Sequence, residues 1–157
     1  MKNLSTINMF ILLGLENFSE QEKQQYLLKI SQTSIKQAIE KAVRDGKLNI
    51  DDVERLTQQE KDPVQFQKSL VSMCPDIKDY TEDSINNMKI EILQQQVDRT
   101  IQEAQKTDLQ FDLTDIIDLR NYINNPIQEI DGDILMAKTE LFHNFQDNML
   151  KLQDNGN

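Results

Sequence analysis

The sequence predicts an all-α protein: an N-terminal multi-helix bundle followed by a long helix and a C-terminal helical hairpin. Three observations carry that prediction. Four Gly and three Pro in 157 residues leave long stretches without a breaker. Apolar residues recur along those stretches at steps of three and four, the period of a helix face. Aromatic residues make up only 6% of the chain and Trp is absent, so the interior is built from Ile, Leu, Val and Met. A composition of 38% hydrophobic and 28% charged residues is that of a folded chain rather than a disordered one.

The first short helix is expected from a Ser5 cap through Leu13, with Gly14 as its exit. Ser19-Glu20-Gln21-Glu22 is a capping box, because the Ser19 hydroxyl reaches the amide three residues on while Glu22 reaches back. Behind it Tyr26, Leu27, Ile30, Ile35, Ala38, Ile39 and Ala42 mark one apolar stripe, so a helix runs to about Arg44 and stops at Gly46. Residues 48–56 read as a short helix with early acids that complement its dipole. Asp62-Pro63 caps and starts a fourth helix, which ends before Pro75.

Thr81-Glu82-Asp83 opens the longest segment, to about Lys106, with Ile85, Met88, Ile92, Leu93, Val97 and Ile101 in two apolar registers. Thr114-Asp115 is expected to cap a helix that closes at Asn124-Asn125-Pro126. The last helix carries a seam of Phe142, Phe145, Met149 and Leu152 at three-four spacing, and the long helix is its expected packing partner. The chain thus divides into a bundle at 1–79, a long helix with a C-terminal hairpin at 80–153, and a polar tail at 154–157.

A formal net charge of −10 repels phosphate backbones and anionic lipid, which argues against direct nucleic-acid binding and against a membrane partner. The apolar run around Met9–Leu13 contains Asn8 and ends at Gly14-Leu15-Glu16. It is too short to span a bilayer and lacks a small-residue cleavage site, so a short core helix and a cytoplasmic location are expected. The single cysteine, Cys74, lies in an apolar context and reads as a buried thiol.

Site-like strings are few. Asp45-Gly46-Lys47-Leu48-Asn49-Ile50-Asp51-Asp52 has the second half of a calcium loop, but Lys41 and Val43 stand where the first ligands belong. A helix stop followed by an acidic helix start explains it. Asp131-Gly132-Asp133 is explained by helix capping, and Asp112, Asp115 and Asp118 by a solvated helix start. His143 is the only histidine and has no nucleophile motif near it, so a surface or boundary role is expected. Single scattered glycines exclude a phosphate-cradling loop. No enzyme, cofactor or metal site is predicted.

The stretch Leu12-Leu13-Gly14-Leu15-Glu16-Asn17-Phe18-Ser19-Glu20-Gln21-Glu22-Lys23, followed by a long amphipathic helix and an Asp-Pro-started helix, resembles small helical proteins of candidate-phyla bacteria. The resemblance covers roughly residues 10–95, with Phe18 in place of the usual leucine. It implies a helical fold and a bacterial origin, and no activity. From the residues themselves, the surplus of apolar helix face points to a non-enzymatic protein–protein interaction or assembly role, by self-association or with another protein. The candidate contact residues are Phe142, Phe145, Met149 and Leu152 with Ile92 and Ile101 of the long helix. The alternative is an acidic inhibitor or adaptor that docks on a basic surface, including one that otherwise holds nucleic acid.

Overall fold

The computed structural model describes residues 1–155. Among them the protein is all-α, with seven helices and no strand: α1 Met9–Leu12, α2 Glu20–Arg44, α3 Ile50–Thr57, α4 Pro63–Met73, α5 Ile77–Lys106, α6 Thr114–Asn124 and α7 Gly132–Asn155. A short 3-10 turn at Leu4–Thr6 precedes them.

Several helix starts follow the local chemistry of the sequence. Ser19 and Glu22 make the reciprocal capping box of α2, and Asn49 with Asp52 makes a second one on α3. Asp62 accepts the Gln65 amide with Pro63 in the first turn of α4. Three starts differ from expectation. Asn8, not Ser5, caps α1, because its side chain takes the amides of Phe10 and Ile11. Asp112 rather than Thr114-Asp115 organises the start of α6, accepting both the amide and the hydroxyl of Thr114. The long helix begins at Ile77, not at Thr81, since the Thr81 hydroxyl bonds back to the Ile77 carbonyl at 2.8 Å as an interior helix residue does.

The chain folds into two compact units whose boundaries differ from the division at residue 79. One comprises Met1–Asn17 with Lys89–Asn157 and the other Phe18–Met88. The N-terminal segment therefore belongs with the C-terminal helices, and backbone pairing is one cause. The Lys2 amide donates to the Ile130 carbonyl and the Gly132 amide to the Lys2 carbonyl, each at 2.8 Å. A side chain at Gly132 would meet Ile7 at 2.8 Å and the Asn3 carbonyl oxygen at 3.1 Å, so this approach requires glycine. Lys89, almost wholly buried, donates from Nζ to the carbonyls of Leu4 and Ile7 at 2.9 and 3.1 Å. Its charge is thereby placed on the carbonyl end of the 3-10 turn.

In the first unit α6 is the helix that packs most closely on α7, rather than the long helix expected from the sequence. Leu12, Leu93, Val97, Ile116, Leu119, Leu135 and Phe142 are buried there. In the second unit Ala38, Ala42, Leu48, Leu56, Leu70, Cys74 and Ile77 form one cluster. Small Ala38 and Ala42 on α2 allow neighbouring helices to approach closely.

Candidate interaction surface

Helix α7 carries two apolar stripes, and only one of them is covered. The inward stripe is Leu135, Thr139, Phe142 and Met149, all buried. Ile134, Lys138, Leu141, Phe145, Asn148 and Leu152, spaced alternately by four and three residues, define the outward stripe. Ile134, Leu141 and Leu152 are 45%, 50% and 52% exposed. Phe145 is half-buried under an edge-on contact with Phe111, ring centroids 5.7 Å apart. Lys138 pairs with Asp118 of α6 and lies 5.6 Å from the centre of the Tyr122 ring.

On another face of α7, about 130° around the helix from the centre of the outward stripe, runs a row of acids. Asp133, Glu140, Asp147 and Asp154 follow one another at seven-residue steps, and all four are exposed. Seven residues are close to two helical turns, so the acids line one edge of the helix at spacings of about 10 Å. The start of the helix is held by Asp131, whose carboxylate accepts the Asp133 and Ile134 amides at 2.9 and 3.4 Å. Those bonds and Lys2 hold the Asp131 carboxyl below the usual carboxylate range, with the Asp133 amide the largest cause.

The residues singled out from the sequence divide across this geometry. Phe142, Met149 and Ile101 are buried. Phe145 and Ile92 are half-buried. Leu152 is the one of the six that is exposed. The seam read from the sequence straddles two faces, because Phe142 and Met149 lie toward the inward edge of a wide apolar arc and Phe145 and Leu152 toward the outward edge. Ile134 and Leu141 complete the outward stripe, and were legible from the same spacing once the arc is split in two.

Other polar groups have structural partners. His143 is half-buried; its Nε2–H donates to the Leu12 carbonyl at 2.8 Å, with Nδ1 3.1 Å from Gln146 Oε1. It thereby ties α7 to the N-terminal segment. A side chain at Gly14, where φ is +69°, would meet the His143 ring at 2.8 Å. Asp45, in the string that resembles half a calcium loop, accepts the Tyr80 hydroxyl at 2.7 Å. That bond, followed by burial and the Asp45 charge, pushes the Tyr80 phenol up to about 12. The Thr114 hydroxyl and amide hold the Asp112 carboxyl below its ordinary value. Cys74 is buried in the second unit. Among the described residues no three His, Cys, Asp or Glu are grouped to hold a metal ion. Among the described residues no helix is long and apolar enough to cross a membrane.

A second concavity lies in the unit Phe18–Met88. It is a half-open cleft of about 680 Å³ between α2, α3 and α4, with Ile35, Ile39, Val53, Leu56 and Phe66 as its walls and Lys36, Glu40 and Glu60 among its polar residues. A smaller cleft of about 430 Å³ between α6 and α7 is bordered by Asp118, Tyr122, Ile134 and Lys138, at the start of the outward stripe.

No protein-family model matches the chain, and no curated protein or solved structure is significantly similar to it.

Proposed function

We propose that the chain is a non-enzymatic helical interaction protein that works through the outward face of α7. The observation that carries this reading is the stripe of Ile134, Leu141 and Leu152, each about half exposed on a helix whose neighbouring stripe, Leu135, Thr139, Phe142 and Met149, is buried. Single exposed leucines are ordinary on protein surfaces. A periodic row on one stable helix is a preformed seat for another helix, which would insert its own side chains at the same three-four spacing.

The distribution of charge favours a second, related reading, an acidic adaptor for a basic partner. The unit that contains α7 has fourteen Asp and Glu against seven Lys and Arg, whereas Phe18–Met88 has thirteen against ten. The excess negative charge thus lies mainly in the unit that presents the stripe, where it would speed encounter with a basic surface.

If the stripe serves contacts rather than the chain's own fold, replacing it leaves the free protein intact. The double variant Leu141→Ser, Leu152→Ser is expected to change unfolding stability by no more than about 1 kcal/mol in a urea titration, as surface substitutions do. The control Phe142→Ala is expected to cost about 3–5 kcal/mol, because it empties a fully buried site. A loss of about 2–5 kcal/mol per leucine in the double variant would mean that the chain itself covers the stripe, and the reading would fail.

A further inference from the structure

We draw no further inference here: the strongest candidate, the half-open apolar cleft between α2, α3 and α4, has Lys36 as well as Glu40 and Glu60 among its polar residues, so its charge selects no occupant, and nothing in the structure shows what covers it.

Discussion

Leu141 and Phe142 are adjacent in the chain, yet one is half exposed and the other has no accessible surface. A step of one residue turns a helix by about 100°, which here carries a side chain from the solvent to the interior. The spacing of Phe142, Phe145, Met149 and Leu152 therefore announced an apolar arc correctly without saying which edge of it is covered. That depends on α6, whose Ile116 and Leu119 lie far away in sequence and are buried in the same unit. Tyr80 shows a different limit. The Asp45 fragment looked like a failed ion loop, and nothing local indicated that a tyrosine 35 residues on would take its carboxylate. The consequence is measurable. With the phenol near 12 in the folded protein and 10 ordinarily, folding favours the protonated form. That contribution to stability is complete below about pH 10 and is lost as pH rises through about 12. Burial also raises the Tyr26 phenol, so absorbance at about 295 nm should show tyrosine titrating late in the wild type, and Asp45→Asn should return the Tyr80 share of it toward the ordinary range. A normal Tyr80 titration would mean that the hydrogen bond does not persist in solution.

At the scale of elements, the helices with strong local signals were legible. The capping boxes of α2 and α3 and the Asp-Pro start of α4 depend on residues within one turn of each other, so their physics is contained in the sequence. The start of α5 was read four residues late. Thr81-Glu82-Asp83 has the composition of a cap, but Ile77 is buried and already helical, so Thr81 is used as an interior residue instead. The N-terminal segment was the least legible element. Its place depends on Lys89, whose ammonium donates to the Leu4 and Ile7 carbonyls across more than 80 residues of sequence. Lys89→Met should leave those carbonyls short of a donor and cost about 1–3 kcal/mol. Amide exchange in residues 4–13 should accelerate while the core of Phe18–Met88 keeps its protection. Uniform loss of protection in both units would contradict the assignment of this lysine to the N-terminal segment.

For the whole molecule, two compact units share an acidic chain, but not equally. Net charge and helix content were readable from composition alone, since both are sums over residues. The assignment of Met1–Asn17 to the C-terminal helices was not, since it rests on pairing between Lys2 and the segment around Ile130. The result is a unit with a packed interior and an exposed apolar row on α7, and the proposed contact role rests on that row. The account stands or falls on whether that surface touches another protein. The most direct measurement is photo-crosslinking in the cells that make the protein, with a photoreactive side chain at Leu141 or Leu152 and a control at the exposed Gln24 of α2. The account predicts a defined adduct, of this chain plus another protein, from both stripe positions and not from the control. No adduct from the stripe, or the same adducts from all three positions, would contradict it.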